Sequence, residues 1–130
     1  MIKSNELRSG NYIWNTFNNP LIVISINPYF GTDKYIEGVS CKFENGIPSG
    51  FSPIDKINPI PLTEEILLKC GFKDGSLGIE SDYGAMLYGN TTTVSLEDCD
   101  GGDIGIKIKY VHQLQNLIFA LTGKELQITL

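Results

Sequence analysis

The sequence predicts an α+β protein that is mostly antiparallel β. A small SH3-like barrel is expected over residues 1–58, and a β-sheet packed on two helices over 59–130. Three observations predict this. Short apolar segments of strand period, separated by Asn, Pro and Gly clusters, fill the first half. Pro53, Pro59 and Pro61 then interrupt the chain. Beyond them the apolar period changes from 2 to 3.6. A chain of 130 residues suffices for one domain or for two small lobes sharing a core.

The elements follow in order. Asn11 to Phe17 reads as a strand, with Tyr12, Trp14 and Thr16 on one face and Ile13, Asn15 and Phe17 on the other; Asn18-Asn19-Pro20 turns it. Leu21 to Ile26 is β-branched and nearly all apolar, the pattern of a strand buried on both faces, and Asn27-Pro28 should break it. Tyr35 to Phe43 alternates with Val39, Cys41 and Phe43 inward. Asn45-Gly46 signals a type I′ hairpin turn, which needs positive φ at both positions.

Leu62 to Gly71 is expected to be a short helix capped at both ends. Thr63 is the N-cap, Glu64 and Glu65 sit in the first turn, and Gly71 is the left-handed stop. Leu77–Glu80, Ala85–Tyr88, Thr91–Glu97 and Ile104–Tyr110 are the next candidate strands. Val111, Leu114, Leu117, Ile118 and Leu121 form a helical stripe that Gly123 ends. Leu126, Ile128 and Leu130 alternate, which predicts a closing strand.

Composition and charge restrict the function. With 42% hydrophobic and 19% charged residues the chain is not a disordered tail. No apolar run approaches the ~18 residues of a membrane span, and the opening Met1 to Glu6 carries an acid where a signal peptide needs apolar residues. Three cysteines (Cys41, Cys70 and Cys99) without a CxxC pair fit a reduced cytosolic chain. Residues 1–61 balance five bases with five acids, whereas residues 62–130 set five lysines against ten acids. Between Asp74 and Gly105 there are seven acids and no base, a poor match to a phosphate backbone and the ordinary pattern of a solvated face.

Catalytic constellations are missing from the sequence. Asp98-Cys99-Asp100-Gly101-Gly102-Asp103 fails the calcium-loop pattern at its fifth, sixth and twelfth positions and reads as an acidic hairpin turn. His112, the single histidine, reads as a surface or capping residue of the last helix. Cys99 lies among acids, which disfavour a thiolate, while Cys70 and Cys41 read as buried. Glu80, Asp82, Glu97 and Asp98 could serve a hydrolase if they converged, but no spacing requires it. The aromatics Tyr12, Trp14, Phe17, Tyr29, Phe30 and Tyr35 crowd the first 35 residues. They serve either as the core and rim of the lobe or as stacking and docking groups.

Three segments resemble one family. They are Asn5 to Tyr12, Pro59 to Phe72 and, most extensively, Lys109 to Leu126 with its Tyr110–Gly123 strand–helix junction. In this order they are similar to small uncharacterised proteins of Bacteroidetes and their phages. Ile118 departs from the aromatic, and Cys70 from the phenylalanine, that this pattern carries. The resemblance implies phage or prophage origin and a bacterial cytosolic setting, and it brings no activity, cofactor or catalytic residue with it.

The expected function is a non-enzymatic protein–protein interaction module without metal or cofactor. Tyr12, Trp14, Tyr29, Tyr35, Asp98, Asp100 and Asp103 are its candidate partner-binding residues. Two alternatives stay open. One is a nucleic-acid reader that uses the SH3-like lobe through Arg8, Lys34, Lys42, Tyr12 and Trp14. The other is an acidic inhibitor that imitates nucleic acid through residues 74–105 and occupies the basic groove of a host nuclease or defence protein.

Overall fold

The computed structural model describes residues 2–30, 35–70, 76–77, 86–89, 94–97, 103–128 and 130. The chain is a small α+β protein of two compact units, Met1–Ile60 and Pro61–Leu130, and each contains a four-stranded antiparallel sheet.

The first unit is a meander of β1 (Tyr12–Trp14), β2 (Pro20–Phe30), β3 (Tyr35–Lys42) and β4 (Pro48–Pro53), paired in that order. Its core is Ile2, Leu7, Ile13, Leu21, Val23, Val39, Cys41 and Ile57. A 3-10 turn at Ser4–Glu6 is tied to β3 by the Ser4 hydroxyl, which donates to Glu37 Oε1 at 2.6 Å. A second 3-10 turn, Ile54–Lys56, follows β4. The chain then returns to β1: Trp14 and Asn58 exchange backbone N–H···O bonds, both 2.9 Å.

Several expectations for this unit need correction. β1 stops at Trp14, because Asn15 Oδ1 accepts from the N–H groups of Phe17 (2.8 Å) and Asn19 (3.0 Å) and winds residues 15–19 into a turn. β2 is not buried on both faces. Leu21 and Val23 are in the core, but Ile24, the extra residue of a bulge, is exposed, and so is Ile26, although it opposes the buried Val39. Asn27-Pro28 does not break β2, since the two pair with Gly38 and Glu37. β1 reaches only as far as Ile22, so Pro28 lies where β2 has no β1 ladder bond to lose. β3 ends at Lys42, and Phe43 is exposed instead of inward. The β3–β4 turn is not type I′. Only Gly46 has positive φ (+88°), Gly46 N–H donates to Phe43 O, and Phe43 N–H donates to Ile47 O, the pattern of a three-residue turn with a glycine bulge.

In the second unit β5 (Ser76–Leu77), β6 (Met86–Gly89), β7 (Val94–Glu97) and β8 (Asp103–Ile108) pair in sequence order. The short helix α1 (Glu64–Lys69) begins as expected: Thr63 Oγ1 accepts from Ile66 N–H at 3.2 Å. Its expected stop at Gly71 lies outside the described residues. Helix α2 (Val111–Thr122) opens with Gln113 Oε1 accepting from the N–H groups of Lys109 and Tyr110, and closes at Gly123 with φ +72°. The expected closing strand is not formed. Leu126–Ile128 and Leu130 lie outside any strand, although Leu126 is buried.

The buried face of α2 also differs from the expected stripe. Val111, Leu114 and Ile118 are buried, Leu117 is half-buried, and the polar His112 and Gln115 are 1% and 2% exposed. His112 is therefore a core residue, not a surface one. Its ring stacks on Tyr110, with centroids 5.9 Å apart and planes 11° from parallel. Burial of a polar pair on this face follows from position: His112 and Gln115 are three residues apart and flank Val111 on the same side of the helix.

Candidate functional site

Directly opposed residues of an antiparallel pair share a face, so the register of the first sheet shows what that face displays. Ile13 and Leu21 oppose each other in the core. Their neighbours Tyr12–Ile22 and Trp14–Pro20 must then point outward, and each of the four is half-buried. Lys42 opposes Ile22 and Pro48 opposes Lys42, extending the outward row across the sheet. Farther along, Ser25, Ser40 and Phe51 are aligned. The Phe51 ring lies over Gly38, where an added Cβ would collide with Phe51 Cζ and come within 2.5 Å of the Ser52 carbonyl oxygen. The outward row thus sets Tyr12, Trp14, Pro20, Ile22, Pro48 and Phe51 beside Lys42, Ser25 and Ser40.

The electrostatics of this surface are muted. No charged residue occurs between Arg8 and Asp33. Burial, and secondarily the negative charge of Glu44, raise the Tyr12 phenol above its ordinary range, so Tyr12 remains a neutral hydrogen-bonding aromatic. Asn11 is fully buried behind the strand. Its Oδ1 accepts from Arg8 N–H at 2.8 Å, and its backbone carbonyl accepts from Val23 N–H at 2.9 Å, which fixes the approach to β1.

Of the predicted partner-binding residues, the structure brings Tyr12 and Trp14 together on one face. Tyr29 and Tyr35 belong to β2 and β3, where Tyr29 pairs with Ile36 and Phe30 with Tyr35. Asp103 opens β8 and pairs with Glu97. Asp98 and Asp100 lie outside the described residues. Phe17, at 81% exposure on the Asn15–Asn19 turn, stood among the crowded aromatics of the sequence but not among the expected partner-binding residues, and Ile47, at 59%, was left out of both. The asparagines bracketing Phe17 were the available signal, since a turn so built carries its central side chain away from the core.

Reactive chemistry is sparse. Burial pushes the Cys41 and Cys70 thiols up to about 11, so both are protonated at neutral pH and are weak nucleophiles and ligands. Cys41 is buried as expected, but Cys70 is only partly so. Among the described residues no group of three or more His, Cys, Asp or Glu is placed to hold a metal ion. An open groove of ≈ 460 Å³ in the second unit has Lys69, Gln127, Ile128 and Leu130 as its described lining residues, and no acid–base pair among them. No helix among the described residues is long and apolar enough to cross a membrane. The chain matches no family model, curated protein or solved structure.

Proposed function

We propose that the chain is a non-enzymatic protein–protein interaction module of phage or prophage origin, acting in the bacterial cytosol, whose first unit is an SH3-like barrel. The observation that carries the reading is the outward Tyr12–Trp14 pair, set against Ile22 and Pro20 within a segment free of charge. Aromatic side chains on a rigid, half-desolvated sheet are the groups that most often dominate protein interfaces. The barrel reading is supported by the return of the chain, after a 3-10 turn, to the free edge of β1 at Asn58, since closure removes a sheet edge. The origin rests on the sequence resemblance.

Nucleic-acid reading draws less support. Of its proposed footprint, Arg8 directs Nη1 to the Ser9 carbonyl at 3.2 Å, and Lys42 sits in an otherwise apolar row. The test is a pull-down from phage-infected or prophage-bearing cells with wild-type protein and the Tyr12→Ala/Trp14→Ala double variant. A protein retained by wild type should fall at least ~10-fold with the variant, the loss expected when interface aromatics are truncated. Equal retention would overturn the assignment of the site. Recovery of nucleic acid, lost as salt rises, would overturn the function itself.

A further inference from the structure

Asn45-Gly46, the one Asn-Gly step in the chain, lies in the turn between β3 and β4, and both residues are exposed. An asparagine carboxamide is open to attack by the backbone nitrogen that follows it. The side chain of the next residue usually shields that nitrogen, and glycine has none. A Cβ built on Gly46 would meet no atom within 4 Å, so the space beside this backbone is open. Every other asparagine precedes a residue with a side chain. Asn19, Asn27 and Asn58 precede proline, whose nitrogen carries no hydrogen to lose.

The turn also positions the carboxamide. Asn45 Oδ1 accepts from Ile47 N–H at 3.0 Å, which curls the side chain back along the Gly46 backbone. The same N–H points at the oxygen on which negative charge develops when Cγ is attacked, and a donor so placed stabilises the transition state. One contact opposes the reaction: Gly46 N–H donates to Phe43 O at 2.9 Å and must leave it. Losing one exposed turn bond slows the step by a factor of about ten at most.

We propose that Asn45 is a modification site at which the folded chain deamidates without an enzyme. Gly46 N loses its proton and bonds to Asn45 Cγ, and the Cγ–Nδ2 bond breaks. Ammonia leaves with that proton, and a cyclic imide remains. Water then opens the imide at either carbonyl, giving aspartate or isoaspartate, and nothing is oxidised or reduced. Both products add a negative charge beside Glu44, and isoaspartate also lengthens the main chain by one carbon. The bonds between Phe43 and Gly46 and between Phe43 and Ile47 fix this turn at three residues, with Lys42 and Pro48 paired next to it. A longer main chain breaks that count, so the end of the hairpin must shift. Lys42 and Pro48 belong to the outward row that includes Tyr12. The reaction is therefore a one-way change at the border of the Tyr12–Trp14 face, and it needs nothing from the docking proposed for that face.

Peptide mapping reads the site directly, because trypsin cuts after Lys42 and Lys56 and Asn45 is the single asparagine between them. The full chain is held at neutral and at mildly alkaline pH and sampled over weeks, with a zero-time digest as background. A parallel sample in guanidinium chloride reports the unfolded chain. The peptide Phe43–Lys56 should gain the mass of an acid over an amide and split into two chromatographic peaks, in step with ammonia release. Conversion should speed up with pH, since Gly46 N reacts after losing its proton. The rate in buffer should lie within about tenfold of the rate in guanidinium chloride. Asn45→Gln, whose longer side chain must close a larger ring, should leave the peptide unchanged. A peptide that stays unmodified in the folded chain overturns the proposal, and conversion confined to the unfolded sample would show that the Phe43 bond locks the nitrogen. A rate that does not rise with pH, or faster conversion at any other asparagine, also overturns it. The pull-down rests on Tyr12 and Trp14, so neither result decides the other.

Discussion

Each unit carries five basic residues, but five acids accompany them in Met1–Ile60 and ten in Pro61–Leu130. The elements differ in the same way. The first unit is built on strands of 11, 8 and 6 residues beside the short β1. In the second unit the strands run 2, 4, 4 and 6 residues, and the longest regular element is the 12-residue helix α2. The difference teaches where each unit finds its apolar surface. A β-branched run makes a long strand of which Leu21 and Val23 enter the first core, while Ile24 and Ile26 are left at the surface. In the second unit, burial on α2 absorbs even a histidine and a glutamine, and the only large apolar side chain described there as exposed is Phe119. Among the described residues, the exposed apolar side chains therefore gather mainly on the first unit.

The strongest way to break that comparison is through the cores. Ile13 is fully buried at the centre of the first unit, and Leu114 is fully buried on α2. Ile13→Ala should cost about 2–5 kcal/mol, read from the urea unfolding of Trp14 fluorescence, because Trp14 is the single tryptophan. Leu114→Ala should cost a similar amount, read at 222 nm, because both described α-helices lie in the second unit. A cost below about 1 kcal/mol for Ile13→Ala would mean that the first unit lacks the packed core described for it.

A smaller effect sharpens the account of the outward face. Gly38→Ala puts a methyl group into the Phe51 ring and against the Ser52 carbonyl. Overpacking of this kind should cost about 1–3 kcal/mol by the same fluorescence measurement. Adding Phe51→Ala relieves the ring but not the carbonyl, so the double variant should recover only part of the loss. Full recovery would show that the backbone yields easily, and that Phe51 alone excludes a side chain at Gly38.

Legibility in the sequence divided along physical lines. Local signals with one stereochemical solution were readable: the Thr63 cap, the left-handed Gly123, the strand–helix change at Tyr110, and the shared face of Tyr12 and Trp14, though not that it faces outward. The coarse α+β class followed from these. Features that depend on a partner strand were not readable. Pro28 continues β2 because β1 has already ended, and Ile24 is displaced by a bulge that no periodicity encodes. Leu126 to Leu130 alternates without a ladder to join, and apolar alternation reports burial, not pairing. His112 was misplaced because a helical stripe chosen by hydrophobicity cannot include a buried polar residue. For the site, Phe17 was visible as an aromatic, but its exposure depended on the Asn15 clamp.

The smallest predicted effect tests how far the second unit relies on local signals. Helix α1 has only six residues, too few for propensity to sustain it, since nucleation is costly and each added residue contributes little. Two local interactions are visible. Thr63 Oγ1 accepts from Ile66 N–H, and Lys69 Nζ lies 3.4 Å from Glu65 Oε1 one turn away. The ion pair is exposed, 47% and 80% at its two side chains, and such pairs contribute only a few tenths of a kcal/mol. The cap satisfies a backbone donor at the helix start and is the larger of the two. Thr63→Ala should therefore cost about 1 kcal/mol at 222 nm, and Thr63→Ser should restore most of it by keeping the hydroxyl. Glu65→Gln should change stability by less than about 0.5 kcal/mol, and that small change should vanish in high salt. If Glu65→Gln cost more than Thr63→Ala, α1 would be held by charge and not by its cap. The acidity of the second unit would then be part of its fold as well as of its surface.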